Sequence, residues 1–144
     1  MSTTTKKKVE LITKVTQESF KKLGEIAEEL RNYAKRNSFD SLAWLDEKMC
    51  EATGHYVNVV TNYQRVKVAR SNNEVAAYLE VRDNWTDGKF VSAVGDRIAR
   101  NAVADFAEAE HVLLGYLDAS NQVILTLKKS IEIAILNKQL ESKH

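Results

Sequence analysis

A cationic segment at residues 63–70 carries the residue types best suited to binding a charged ligand. Its three cations lie beside Tyr63, and their separations of three and five residues predict that they surround one side of a helix. Lys and Arg neutralise phosphates, and rings such as Tyr63, Tyr78 or Trp85 would stack on the bases of a single strand. A solvated helix surface is the alternative. The predicted nucleic-acid-binding residues are Arg65, Lys67, Arg70, Arg82 and Lys89.

Glu108, Glu110 and His111 form the one dense group of acidic and histidine residues. Di-iron helical bundles use Glu-x-x-His pairs, and the sequence contains none, so an exposed acidic face is the preferred interpretation and no metal is expected. The single cysteine, Cys50, excludes an internal disulfide and is predicted to lie in the core beside Met49. Glycine-rich phosphate loops and nucleophile motifs are missing as well. The sequence therefore predicts a protein that is not an enzyme and needs no cofactor.

The elements that must position these residues are predicted from composition. The chain has 144 residues, of which 44% are hydrophobic and 28% charged, with a net charge of +1 and with no proline. Because proline breaks helices and glycine weakens them, zero prolines and five glycines favour an all-α protein. Residues 1–8 are predicted to be a disordered basic tail and residues 9–144 a single helical domain. No membrane span or signal core is visible, so a cytoplasmic location is expected.

Apolar residues at three- and four-residue steps predict three helices. The first covers residues 9–36, and a second follows a turn at residues 36–41 and starts by Ser41. Its seam resembles that of a coiled coil, although its continuity at residues 71–73 is open. A reversal at residues 83–88 leads to a long last helix from Phe90. The two long helices would form an elongated hairpin. The predicted seams are Leu42, Leu45, Met49, Ala52, Tyr56, Val59, Tyr63 and Val66, then Phe106, Ala109, Leu113, Tyr116, Ser120, Val123, Leu127, Ile131 and Ala134.

The last helix has apolar residues beyond its own seam, which predicts a further neighbour. One chain supplies too few helices to cover both faces, so a homo-oligomer is expected. Gly95 and Gly115 within this helix are expected to mark close approaches between helices. The predicted oligomer interface comprises Leu113, Leu117, Val123, Ile124, Leu127, Ile131 and Ile135.

Residues 88–137 carry a resemblance to a known family. The residues concerned are Gly88-Lys89-Phe90-Val91 with Asp96, Asn101 and Val103, then Ala107-Glu108-Ala109-Glu110, Leu114-Gly115-Tyr116-Leu117 and Leu127-Lys128-Lys129. Together with the order of the predicted helices, they resemble the recombination-mediator proteins of T4-type and related bacteriophages.

The resemblance implies a ring-shaped homo-oligomer, organised through the C-terminal helix, that catalyses no reaction. It would bind single-stranded DNA, the phage recombinase and the single-strand-binding protein in the cytoplasm of an infected bacterial host. The family's DNA-contacting Lys/Arg pair is matched most nearly by Arg65 and Lys67, with Arg70 beside them. A different class of function remains open, namely a helical adaptor, inhibitor or assembly protein that acts through protein contacts.

Overall fold

The computed structural model describes residues 3–37 and 41–143, and every regular element within these two stretches is an α-helix. The prediction of an all-helical chain is therefore confirmed for the described residues. The lack of proline allows helices of about 50 to 60 Å at 1.5 Å per residue. The four helices are α1 (Thr3–Asn37), α2 (Leu42–Asp83), α3 (Ser92–Ala102) and α4 (Ala104–Ser142).

Helix α1 starts at Thr3, so residues 3–8 of the expected disordered tail lie within a helix, while residues 1–2 are outside the described residues. Lysine is a good helix former, and the next residue, Val9, is buried in the core and anchors this end. Lys6 also approaches Asp105 of α4, with 3.9 Å between Nζ and Oδ2. Lys6, Lys7 and Lys8 thus lie exposed on the surface of α1.

Helix α2 begins after Ser41, as the sequence predicts; residues 38–40 of the expected turn lie outside the described residues. The Ser41 hydroxyl accepts a hydrogen bond of 3.3 Å from the backbone N–H of Trp44, which is N-terminal capping. The backbone N–H of Ser41 in turn donates to the Tyr33 hydroxyl at 2.9 Å. Tyr33 and Trp44 stack with their ring centroids 4.3 Å apart, which fixes the junction of α1 and α2.

The body of the molecule, as we call it, consists of α1, residues 42–70 of α2, and α4. Leucines near the end of α1 pack against the start of α2 and the second half of α4, whereas the start of α1 packs against the middle of α2 and the start of α4. Helix α2 therefore runs antiparallel to the other two. Every predicted seam position on α2 and α4 is buried or half-buried. The core includes Leu23, Ile26, Leu30, Leu45, Val59, Val66, Phe106, Leu113 and Leu127.

The two-helix end, residues 71–102, extends beyond the body. Helix α2 continues unbroken through residues 71–73 and packs against α3. Gly88 has a φ of +74°, which is typical of a glycine in a tight connection. A Cβ at Gly95 would lie 2.7 Å from the Phe90 ring and 3.1 Å from the Tyr78 ring of α2, so this glycine permits the expected close approach of two helices. The two-helix end thus depends on a few ring and backbone contacts.

One long helix from Phe90 onward is the main expectation that proved wrong, because the chain breaks at Val103 between α3 and α4. Val103 has φ −110° and ψ 17°, and its N–H donates to the carbonyl of Arg100 at 3.3 Å. The buried residues Ala99, Val103 and Phe106 keep three- and four-residue spacing across this break. Periodicity therefore gives no sign of it.

Two single-residue expectations were also wrong. Cys50 is exposed, because it lies about 100° around the helix from the half-buried Met49. Gly115 is exposed on α4, and an added Cβ would meet no atom within 4 Å, so it marks no close approach.

Candidate nucleic-acid interface

The cations at residues 63–70 do not gather on one face. Arg65 and Lys67 are both exposed, but residues two positions apart on an α-helix point about 200° apart. The Lys67 ammonium lies 5.9 Å from the centre of the Tyr63 ring. Tyr63 itself is buried, so its ring is not open for stacking on a base. A single extended strand would meet either Arg65 or Lys67.

Arg70 is engaged in ion pairs inside the protein. Its Nε donates to Glu110 of α4, and its Nη1 donates to Glu74 at 2.9 Å. The hydrogen bond to Glu110 is the main cause that raises the pKa of Arg70, against the opposing effect of desolvation. Two carboxylates neutralise this guanidinium and leave little of it exposed. Arg70 thus links α2 to α4. The residues next to Arg70 in the sequence give no indication of this contact.

Arg82 and Lys89, the remaining predicted sites, lie in the two-helix end. The Arg82 guanidinium pairs with the adjacent Asp83 at 3.3 Å, whereas Lys89 is exposed in the connection before α3. Residues 71–102 contain four basic and five acidic side chains, which gives a net charge of −1. The two-helix end is therefore not a basic surface.

The aromatic rings of the two-helix end are packed against each other. Trp85 and Tyr78 both meet Phe90 edge to face, with ring centroids 5.5 and 5.7 Å away respectively. The Trp85 indole N–H is buried and has no hydrogen-bond partner. These rings stabilise the connection between α2 and α3 and do not form an open platform for bases.

The most basic segment of the described residues lies on α1, at residues 5–22. Lys7, Lys14 and Lys21 are exposed and repeat every seven residues, which places them on one side of the helix about 10.5 Å apart. No described carboxylate lies within 4 Å of their ammonium groups. Residues 5–22 contain six lysines and two glutamates, a net charge of +4, and the glutamates, Glu10 and Glu18, are exposed between the three lysines on the same side of the helix. We call Lys7, Lys14 and Lys21 the lysine face.

The sequence contained a signal for the lysine face, namely the seven-residue repeat of lysine. The predicted disordered tail at residues 1–8 separates Lys7 from Lys14 and Lys21, and this conceals the repeat. Once residues 3–8 are helical, all three lysines belong to one continuous surface.

Most of the predicted oligomer interface lies inside the single chain. Leu113 and Leu127 are fully buried, and Ile124 is only 8% exposed. These side chains pack against α1 and α2 and have no area left for a second copy. Three of the remaining positions are partly buried against the core, namely Leu117, Val123 and Ile131. The last one, Ile135, is 40% exposed.

Glu110, one member of the acidic and histidine group, is paired with Arg70. Within residues 3–37 and 41–143, no three potential metal ligands lie close together. In the same stretches, no helix combines the length and the apolar character that crossing a membrane requires.

Comparisons with known proteins add no relative. No protein-family model, no curated protein and no solved structure matches the chain.

Proposed function

We propose that the chain is a non-enzymatic protein that binds single-stranded DNA through the lysine face of α1. The observation that supports this function is the seven-residue repeat of exposed lysines within a segment of net charge +4. Three ammonium groups along about 21 Å of one helix side give a flexible strand successive phosphate contacts. Each contact releases counterions, which favours binding and makes the affinity dependent on salt.

We further propose that the protein acts as a mediator, helping to load a recombinase onto DNA covered by single-strand-binding protein. This role rests on the resemblance of residues 88–137 to phage recombination mediators, and the lysine face supports only the DNA-binding part of it. The mediator would act as a homo-oligomer with the recombinase and the single-strand-binding protein as partners. A ring is the form that the resemblance implies.

A titration of a labelled single-stranded oligonucleotide, followed by fluorescence anisotropy, tests the DNA-binding part. Three lysine contacts predict a slope of about −2 in a plot of log affinity against log salt, at roughly 0.7 per contact on a single strand. Raising the salt from about 50 to 200 mM should therefore weaken binding roughly fifteenfold or more. Absence of binding at the lower salt would contradict the proposal.

A second function, a helical adaptor that binds protein partners, is favoured by large apolar side chains on outward faces. Val57 and Val68 on α2 and Leu136 on α4 are each more than half exposed. An adaptor should still bind its protein partner after loss of the lysine face. A mediator requires both the lysine face and the binding of its protein partners.

The mediator role has its own test. Recombinase-driven strand exchange on DNA coated with single-strand-binding protein should start faster when the protein is added. The triple variant Lys7→Gln, Lys14→Gln, Lys21→Gln should lose this acceleration. An equal acceleration by the variant would show that the faster strand exchange does not depend on the lysine face. That result would favour the adaptor.

A further inference from the structure

Helix α2 carries a second stripe on the side away from α1, α3 and α4. Its apolar members are Val57, Val68, Val75 and Leu79, and its uncharged polar members are Thr61, Gln64 and Asn72. All seven side chains are exposed, and the steps between successive positions are 4, 3, 4, 4, 3 and 4 residues. This period, about 3.67 residues, follows one side of a nearly straight helix. We call these residues the outer stripe.

The seven residues of the outer stripe are uncharged, and Arg65 is the one charged residue that lines the groove around Val68. Helix α4 has an outward stripe with the same spacing, and there Leu114, Leu125 and Leu136 alternate with polar residues. Three of those polar positions are charged, at Asp118, Lys129 and Glu132. Depletion of charged residues at the centre of a surface is typical of protein interfaces. Helix α2 therefore has the surface better suited to covering by another protein.

The spacing of the outer stripe is palindromic about Val68. An antiparallel copy of α2 with Val68 on a two-fold axis would place Val57 opposite Leu79 of the copy. The same register places Thr61 opposite Val75 and Gln64 opposite Asn72, without opposing any like charges. A two-fold interface requires such a self-complementary surface. A second copy of this chain is thus the occupant whose chemistry the stripe fits.

We propose that the protein forms a two-fold symmetric, antiparallel dimer through the outer stripe of α2. The stripe is about 33 Å long, and a helix about 10 Å wide would cover roughly 330 Å² per copy. Specific stable dimers bury about 800 Å² per partner, so the contact is weak and reversible. Helix α1 lies on another side of α2, and the lysine face stays accessible in the dimer.

Sedimentation equilibrium over a range of concentrations tests the dimer. The apparent mass should rise from 16.3 kDa towards twice that value as the concentration increases to several hundred micromolar. Val68→Lys places two like charges on the axis and should raise the dissociation constant more than about a hundredfold. Leu125→Lys, at the centre of the α4 stripe, is the matched control and should leave self-association unchanged.

A monomer at every concentration would overturn the proposal and leave the stripe to a different protein. Equal loss of self-association in both lysine variants would overturn it too, because it would show a contact elsewhere. Circular dichroism checks that each variant is as helical as the parent, which is expected for exposed positions where lysine is a good helix former.

Disulfide cross-linking tests the register. In a Cys50→Ser background, Val68→Cys should cross-link with itself under mild oxidation, because the two side chains meet on the axis. Val57→Cys and Leu79→Cys should cross-link only when mixed, since each is about 33 Å from its own copy. A disulfide needs Cα atoms within about 7 Å. Efficient self-cross-linking of Val57→Cys, or none in Val68→Cys, would contradict the antiparallel register.

The dimer stands independently of DNA binding. Val68→Lys changes no residue of the lysine face, and removal of the lysine face changes no residue of the outer stripe. Anisotropy and sedimentation on the same two variants therefore distinguish failure of the dimer from failure of the proposed function.

Discussion

The two cationic regions of the molecule, residues 65–70 of α2 and the lysine face of α1, contain three cations each but present them differently. In α2, Arg65 and Lys67 are two residues apart and point about 200° away from each other, and Arg70 is held in ion pairs. In α1 they are seven residues apart and share one side. The comparison shows that spacing, more than local density of Lys and Arg, decides whether cations on a helix form a surface.

The regions differ also in how their charge is used. Arg70 is paired with Glu74 and Glu110, and this pairing connects two helices. Lys48 has the same role at the other end of the body, where it meets Glu29 of α1 at 2.6 Å and Glu51 at 3.2 Å. The lysine face has no such partner among the described side chains. Cations that stabilise the fold and cations available to a ligand are thus separated.

The largest expected effect is on DNA binding by the lysine face. Replacing Lys7, Lys14 and Lys21 together by glutamine should weaken binding of a single-stranded oligonucleotide about ten- to a hundredfold at low salt. The salt slope should fall by about 2, which a salt series of anisotropy titrations measures. The matched control replaces Lys35, Lys128 and Lys129, which are exposed elsewhere and change the net charge equally. Similar losses of affinity in both triple variants would show that net charge, and not the position of the lysines, determines DNA binding.

Replacing Arg70 should affect folding more than binding. Arg70→Gln leaves the half-buried Glu110 without its ionic partner, which should lower the free energy of unfolding by about 2 kcal/mol. Urea denaturation measures this change, with Arg65→Gln as an exposed control within about 0.5 kcal/mol of the parent. DNA affinity should stay within about twofold. A stable Arg70→Gln protein with greatly reduced DNA affinity would show that Arg70 belongs to the DNA-binding site.

The double variant Arg65→Gln, Lys67→Gln tests whether the exposed cations of α2 act together. Because they point about 200° apart, one strand should contact at most one of them, and affinity should fall only about threefold. A loss as large as that of the lysine-face variant would show that α2, and not α1, is the main DNA-binding helix.

The smallest effect concerns pH. The hydrogen bond with Glu29 is the largest cause that raises the pKa of Lys48, with Glu51 contributing, while desolvation opposes them. A lysine whose pKa is higher in the folded state stabilises the protein below its unfolded pKa, near 10.4, and loses this contribution as pH rises through the folded pKa. The stability difference between the parent and Lys48→Met should therefore shrink above about pH 10. A difference that stays constant to pH 11.5 in urea denaturation would refute this role.

Sequence periodicity predicted the buried faces of α2 and α4 because one side of a helix repeats every three or four residues. It missed the break at Val103, where that spacing continues across two helices. It also missed the pairing of Arg70 with Glu110, because forty residues separate the partners and only packing brings them together. The lysine face was accessible to the same periodic reasoning once the start of α1 was known.

Acetylation footprinting of all lysines by mass spectrometry, with and without a single-stranded oligonucleotide, shows directly which lysines contact DNA. Binding through the lysine face should protect Lys7, Lys14 and Lys21 together, while Lys35, Lys128 and Lys129 react at unchanged rates. Protection confined to Lys67 and Lys89, or no protection under conditions where the oligonucleotide is bound, would contradict it.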